Sequence, residues 1–117
     1  MGGLGPMPPS GQLEVGVVER SNGRLRVRIA GELDVSTAGP LLEALEDATD
    51  PRVRGLEIDI ADVSFIDSSA LGVLVRAHKR LAQLPGGKPL VLVSPRPQAR
   101  KVLEITGLTR VFVIADD

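Results

Sequence analysis

Hydrophobic and polar residues alternate in three stretches of the chain. The hydrophobic positions are Leu13, Val15 and Val17, then Leu25, Val27 and Ile29, then Leu56, Ile58 and Ile60. This period of two predicts three β-strands, each with one face towards a core and the other towards solvent. The turn sequence SNG separates the first two stretches, so we expect them to form a hairpin.

Charged residues fill the alternate positions of the second and third stretches. They form a basic row of Arg24, Arg26 and Arg28 and an acidic pair of Glu57 and Asp59. If these two strands are neighbours, the basic row lies beside the acidic one. Each such cross-strand pair would add only about 0.2 to 1 kcal/mol, so we expect a solvated sheet face.

Two later stretches carry hydrophobic residues at helical spacing. The first lies within residues 35–50, with Ser36 or Thr37 available as the N-cap residue and Pro40 in the first turn. The second begins near Ser68 and is stopped by the Pro-Gly-Gly sequence that follows it. Both are predicted to be amphipathic helices that pack on the sheet.

The last part of the chain predicts a buried strand at residues 89–94, a helix at about 97–106 and a final strand at 111–114. The helix is expected to present a hydrophobic face of Ala99, Val102, Leu103 and Ile105. The predicted order is therefore β-β-α-β-α-β-α-β. Alternating strands and helices require parallel pairing with right-handed crossovers. We expect an α/β fold with a mixed, mostly parallel sheet and helices mainly on one face.

The length of 117 residues fits one domain with a single core. Residues 1–11 are mostly glycine and proline, a composition that cannot bury enough apolar surface to order itself, so we expect a disordered tail. The folded domain is expected to cover residues 12–117.

Composition narrows the range of functions. The only aromatic residues are two phenylalanines and the net charge is −1, so the sequence does not favour binding of nucleic acid. Cysteine is absent and His78 is the only histidine, which argues against thiol chemistry and a metal site. The first residues lack the basic and apolar parts expected of a signal peptide, and no apolar run reaches the roughly 18 to 20 residues that span a membrane. We expect a cytoplasmic protein with no membrane partner and no cofactor.

A polar cluster of Asp67, Ser68 and Ser69 lies where a predicted strand meets a helix. One of these residues can cap the helix, but capping explains only one of the three. A serine nucleophile would need a base within about 3 Å, and His78, ten residues further along the same predicted helix, lies about 15 Å away from Ser68. His78 is therefore predicted to be structural. The remaining hydroxyl could instead accept a phosphoryl group.

Two motifs resemble the signatures of the STAS domain, and in particular those of bacterial anti-sigma factor antagonists. They are GELDVSTA at residues 31–38 and IADVSFIDSSALGVLV at residues 60–75, and a closing TGL follows at 106–108. The resemblance implies regulation by partner switching. The unphosphorylated antagonist binds an anti-sigma factor that is also a serine kinase, which frees a sigma factor, and phosphorylation ends the binding. A serine phosphatase is a further expected partner.

The resemblance also implies which residues take part. Ser68 corresponds to the phosphorylated serine, and the expected partner-binding residues are Gly31, Glu32, Asp34, Asp67, Ser68 and Ser69. The GELD segment is expected to be a loop beside the phosphorylation site. Where the family usually has glycine, this chain has Ala70. Alanine is the better helix former by up to about 1 kcal/mol, so this change either alters the fit of a kinase or stabilises the turn.

Two other classes of function remain open from the sequence. The main alternative is a STAS module that binds a nucleotide or lipid, or that acts as a scaffold in a larger sensory assembly of the stressosome kind, without phosphorylation. An enzyme ranks last because the sequence has no paired acid and base, no phosphate-cradling loop and no metal cluster.

Overall fold

The computed structural model describes residues 13–19 and 21–116. The predicted disordered tail, residues 1–11, lies outside the described residues, as does the predicted start of the domain at residue 12. Within the described part, five strands form one sheet in the order β1-β2-β3-β4-β5. The strands are β1 (Leu13–Glu19), β2 (Arg24–Leu33), β3 (Gly55–Ile66), β4 (Val91–Val93) and β5 (Val113–Ala115).

The first two strands pair antiparallel, as the predicted hairpin requires, and the remaining neighbours pair parallel. Three helices connect the parallel strands: α1 (Ala38–Ala48), α2 (Ser68–Ala82) and α3 (Pro97–Ile105). Short 3₁₀ turns occur at Ser21–Gly23 and Leu108–Arg110. The predicted order of strands and helices is confirmed.

The core is aliphatic apart from Phe112 and lies between the sheet and the helices. All three helices contribute buried residues to one hydrophobic cluster, which is consistent with helices gathered on one face. Strands β2 and β3 contribute the alternating residues that the sequence pattern identified, and Ile29, Ile58 and Ile60 are completely buried. The period of two therefore predicted correctly which side of β2 and β3 faces the core. The expected core face of β1 was wrong at Val15 and Val17, which are 38% and 65% exposed on this edge strand.

The charged face of the sheet is less solvated than we expected. The two rows do meet, because Arg26 Nε lies 2.9 Å from Glu57 Oε1 and Arg28 Nε lies 3.4 Å from Asp59 Oδ2. However, Arg26 and Asp59 retain only 7% and 9% of their accessible surface. The expectation of a solvated sheet face was therefore wrong at the centre of that face. There, oppositely charged side chains on adjacent strands pair and cover one another from water.

The third helix and the last strand also differ from the prediction. Ala99 and Leu103 face the core, whereas Ile105 is 75% exposed. At 100° per residue, Ile105 lies about 200° around the helix from Leu103, so it cannot share that face. The final strand begins two residues later than predicted because a 3₁₀ turn precedes it, and the backbone N–H of Phe112 donates to the carbonyl oxygen of Leu108 at 3.0 Å.

Candidate functional site

The carboxyl ends of β2 and β3 lie side by side and carry the two sequence motifs. Leu33 pairs with Ile66, and the backbone N–H of Asp67 donates to the carbonyl oxygen of Leu33 at 3.0 Å. Asp34 therefore leaves β2 next to the point where Asp67 leaves β3. The expectation that the GELD segment lies beside Ser68 is met, although GELD is not a loop: Gly31 to Leu33 belong to β2 and only Asp34 follows it.

Asp67 is the residue that caps α2. Its backbone is extended, and its Oδ1 accepts hydrogen bonds from the backbone N–H groups of Ser69 at 2.9 Å and Ala70 at 3.3 Å. These bonds satisfy two of the N–H groups that a helix start leaves without a partner. Capping thus accounts for the aspartate and for neither of the two serines.

The hydroxyls of Ser68 and Ser69 are both available. Both residues are exposed, and neither hydroxyl has a hydrogen bond to any residue in the described part of the chain. Ser68 is the first residue of α2, where the positive end of the helix dipole favours a negative charge. The geometry therefore offers a free hydroxyl at a position that tolerates an added anion.

His78 has the structural role that the sequence predicted. Its Nδ1 accepts a hydrogen bond from the backbone N–H of Leu90 at 3.4 Å, and its ring packs edge-on against Phe112 with centroids 5.8 Å apart. His78 and Ser68 are on the same continuous helix, so the separation of about 15 Å along its axis holds. His78 therefore cannot activate Ser68 as a nucleophile.

The loop after β2 is held by the side chains of Asp34 and Thr37. Asp34 Oδ1 accepts hydrogen bonds from the Ser36 hydroxyl at 2.6 Å and the Ser36 backbone N–H at 2.9 Å. The Ser36 hydroxyl is the main cause of the lowering of the Asp34 pKa below its ordinary value of 3.8. Thr37, almost fully buried, donates from its hydroxyl to the carbonyl oxygen of Glu32 at 2.7 Å, so it fixes the loop and does not cap α1 through its side chain.

Gly31 has a structural role in β2. Its φ of 122° lies in the region that favours glycine, and the register between β2 and β3 shifts next to it. The residue is buried, so it offers no surface to a partner. Its assignment as a contact residue stays a prediction, whereas the structure shows that it shapes the strand end that presents Asp34.

Gln98, which the sequence analysis did not identify, supports the end of β3. Strand β4 pairs only with Glu57 to Asp59, so among the described residues the end of β3 has no strand partner on that side. The Gln98 side chain takes that place: its Oε1 accepts from the Ile66 N–H at 3.0 Å and its Nε2 donates to the Ile66 carbonyl oxygen at 3.1 Å. This pair of bonds fixes the backbone immediately before Asp67. Nothing in the spacing of Gln98 indicates this role.

Two exposed hydrophobic side chains accompany the polar residues. Val35, in the loop after Asp34, is 77% exposed, and Phe65, near the end of β3, is 39% exposed. In the sequence, the feature that could have identified Val35 and Phe65 is that each is a hydrophobic residue close to a polar motif. We call Asp34, Val35, Phe65, Ser68 and Ser69 the carboxyl-edge surface. Its mixture of exposed apolar and polar groups is typical of a protein interface.

The described part of the chain contains no group of three or more histidine, cysteine or acidic side chains arranged to hold a metal ion. It also contains no helix long and apolar enough to cross a membrane. Four pockets of the described residues are lined by residues other than Ser68 and Ser69.

Comparison with known proteins agrees with the motifs. The sequence model of the STAS domain matches residues 17–117. The chain is 35% identical to the anti-sigma-B factor antagonist of Listeria monocytogenes over 102 residues, which cover 87% of this chain and 88% of that protein. The expected resemblance to bacterial anti-sigma factor antagonists is confirmed.

Solved structures show the same architecture. An anti-sigma factor antagonist from Mycobacterium paratuberculosis superposes with a TM-score of 0.80 at 26% identity, covering 93% of this chain and 89% of that one. The Bacillus protein SpoIIAA matches in its unphosphorylated and phosphorylated forms with TM-scores of 0.74 and 0.69. Both matches are 23% identical and cover 89% of this chain and 88% and 91% of theirs, which establishes likeness of fold alone. From the fold, the motifs and the extent of the family match, the chain belongs to the STAS domain family.

Proposed function

We propose that this protein is an anti-sigma factor antagonist that binds its anti-sigma factor through the carboxyl-edge surface when Ser68 is unphosphorylated. The observation that carries the proposal is the exposed Ser68 hydroxyl, which has no hydrogen bond within the described residues and lies at the start of α2 beside the Asp34 loop. The relative from Listeria, which is named for this activity, supports it. Binding would sequester the anti-sigma factor and free a sigma factor in the cytoplasm.

The proposed partner is also a serine kinase that acts on Ser68. The γ-phosphorus of ATP would form a bond to Ser68 Oγ as its bond to the β,γ-bridging oxygen breaks, and a base of the kinase would take the hydroxyl proton. The product carries roughly −1.5 to −2 charges directly after Asp67. Repulsion of acidic groups and the bulk of the phosphate would then disrupt docking, and a serine phosphatase would restore it.

The position of Ala70 bears on how well a kinase could reach Ser68. Ala70 is 0% exposed, so its methyl group points into the core rather than towards an approaching protein. Its backbone N–H still donates to Asp67, as the cap requires. We infer that alanine in place of the usual glycine stabilises the first turn and leaves access to the Ser68 hydroxyl unchanged.

The proposal assigns no catalytic role to the protein itself. Ser68 needs only to accept a phosphoryl group, and the base for that step belongs to the kinase. The geometry within the chain supports this assignment, because the single histidine is engaged with Leu90 and Phe112 on the far part of α2. Ser68 therefore has no histidine partner of its own.

The experiment is to incubate the protein with anti-sigma factors from its host and ATP, and to map phosphate by intact-protein and peptide mass spectrometry. We expect one phosphate, located on Ser68, and none on Ser68→Ala. The matched control is Ser69→Ala, which removes the neighbouring exposed hydroxyl and should still accept one phosphate. Absence of phosphate with every kinase would reject the proposal and favour a STAS ligand-binding or scaffold module that phosphorylation does not regulate.

A further inference from the structure

A pocket at the opposite end of the sheet carries an unusual concentration of positive charge. It has a volume of about 480 Å³ and lies where β2, β3 and β4 begin. Its lining includes Arg24, Arg54 and Lys88, which come from three separate segments of the chain. We call it the amino-edge pocket. From it we propose that the protein binds a small polyanion carrying two or more phosphate groups.

The charge of the amino-edge pocket is only partly compensated among the described residues. None of the described residues that line it carries a carboxylate, although the whole chain has a net charge of −1. Within residues 13–19 and 21–116, the Arg54 and Lys88 side chains form no ion pair or hydrogen bond. The Arg24 side chain is 58% exposed and approaches Glu57 only to 3.7 Å, while Glu57 lies 2.9 Å from Arg26.

The backbone holds the two arginines in place. A Cβ added to Gly23 would lie 3.1 Å from Cγ of Arg54, and Gly23 has a φ of 76° that favours glycine. The Arg54 N–H also donates to the Gly23 carbonyl oxygen at 2.9 Å, which ties the hairpin turn to the start of β3. The Arg24 side chain passes over Gly55, where an added Cβ would lie 3.6 Å from Nε. The backbone at both arginines is therefore tied to the sheet, while their side chains remain exposed.

The chemistry of the pocket selects its ligand. Of the three cations, only Arg24 has a carboxylate within salt-bridge distance in the described part of the chain. Positive charge therefore remains in excess, and a ligand with several negative charges relieves the repulsion. Guanidinium groups bind phosphate oxygens through paired hydrogen bonds, and a lysine adds a point charge. The volume is in the range of about 300 to 1,000 Å³ that is usual for small-molecule sites, and Leu56, Pro89 and Val91 supply apolar contacts.

The amino-edge pocket is separate from the carboxyl-edge surface. Strand β2 runs from Arg24 at the pocket to Leu33 beside Ser68, and nine residue steps in a strand span about 30 Å. A bound polyanion and a docked protein partner can therefore be present at the same time. Binding at this pocket goes beyond the proposed antagonist function and does not require phosphorylation of Ser68.

The test is isothermal titration calorimetry of the full chain with tripolyphosphate at an ionic strength of about 0.1 M, where distant charges are screened, and with ATP as a second probe. We expect saturable one-to-one binding of tripolyphosphate. The Arg54→Gln/Lys88→Gln double variant should bind at least about tenfold more weakly, because it loses two charged hydrogen-bond donors. ATP binding tighter than tripolyphosphate would further support the pocket by showing that its apolar residues contact the ligand.

The matched control is Arg76→Gln/Lys101→Gln, which removes the same charge from two exposed side chains outside the pocket. It should change affinity by no more than about threefold, since loss of net charge alone is screened by salt. If the Arg54→Gln/Lys88→Gln variant has a lowered melting temperature, Lys88→Gln alone is used in its place. No saturable binding, or equal loss in the control, would overturn the proposal. So would tighter binding of a hexaglutamate peptide, which would assign the pocket to an acidic protein segment.

Discussion

The backbone N–H of Asp67 donates to the carbonyl oxygen of Leu33 at 3.0 Å, and this bond joins the ends of the two strands that carry the sequence motifs. Asp34 and Ser68 each follow one of these residues closely. Their proximity thus results from parallel pairing of β2 with β3 and from the register between Leu33 and Ile66. The relative positions of Asp34 and Ser68 on the carboxyl-edge surface are therefore determined by strand pairing in the sheet.

Removal of the α2 cap should destabilise the protein measurably. Asp67→Ala loses the hydrogen bonds to the Ser69 and Ala70 N–H groups, which should cost about 1 kcal/mol. For a domain of this size the melting temperature should fall by about 4 °C in a calorimetric scan. Asp67→Asn keeps a capping oxygen and should recover most of the loss. Equal destabilisation by Asp67→Ala and Ser69→Ala would contradict the assignment of the cap.

The Asp34 carboxyl should titrate below its ordinary value of 3.8, chiefly because the Ser36 hydroxyl donates to it. Since the folded pKa is lowered, the stabilisation from this carboxylate is complete above the unfolded value and is lost as the pH falls through the folded pKa. Ser36→Ala should move the pKa upwards, towards 3.8. A carbon-detected NMR titration measures this, with Ser69→Ala as the control. An unchanged Asp34 pKa in Ser36→Ala would show that the hydroxyl is not the cause.

Val35 should contribute to partner binding without contributing to stability. Its side chain is 77% exposed, so Val35→Ser removes little buried surface from the free protein. If the carboxyl-edge surface docks, this change should lower affinity for the anti-sigma factor by roughly tenfold. Ile105→Ser is the matched control, because Ile105 is 75% exposed at the end of α3. Titration calorimetry that found the same loss for both variants would argue against this surface.

The buried arginine of the charged sheet face should matter more than its exposed neighbour. Arg26→Ala removes the cation that lies between Glu57 and Asp59, whose side chains are only 17% and 12% exposed, and leaves them the more exposed Arg24 and Arg28. We expect a loss of about 3 kcal/mol in the free energy of unfolding by denaturant. Arg24→Ala removes a 58% exposed side chain at 3.7 Å from Glu57 and should cost less than about 1 kcal/mol. Similar losses for the two variants would mean that burial of Arg26 is unimportant.

Hydrophobic periodicity was sufficient to predict most of the fold. The alternation around Val27 and Ile58 identified two strands and their buried faces, although it left open whether they are neighbours, and helical spacing placed α2 to within a few residues. It failed for Ile105, because a short helix has few turns from which to judge the direction of its face. It also failed for the burial of Arg26, because a single strand does not reveal that opposite charges on its neighbour will cover it.

The local sequence pattern predicted less of the candidate site than of the fold. The local sequence showed that one of three polar residues must cap α2, but only the backbone geometry identified Asp67. The nearness of Asp34 to Ser68 depends on tertiary pairing and came from the resemblance to the STAS domain. The support that Gln98 gives to Ile66 arises because β4 is shorter than β3, a relationship between distant segments.

The measurement that tests the central claim most directly is the affinity of the anti-sigma factor for three forms of this protein: the unphosphorylated chain, Ser68→Ala and Ser68→Asp. We predict that the affinity of Ser68→Ala lies within about threefold of that of the unphosphorylated chain. The Ser68 hydroxyl has no hydrogen bond to any described residue, so its removal breaks none of them. Ser68→Asp should bind at least about tenfold more weakly, because it adds a second carboxylate beside Asp67. Unchanged affinity of Ser68→Asp would contradict the switch at Ser68.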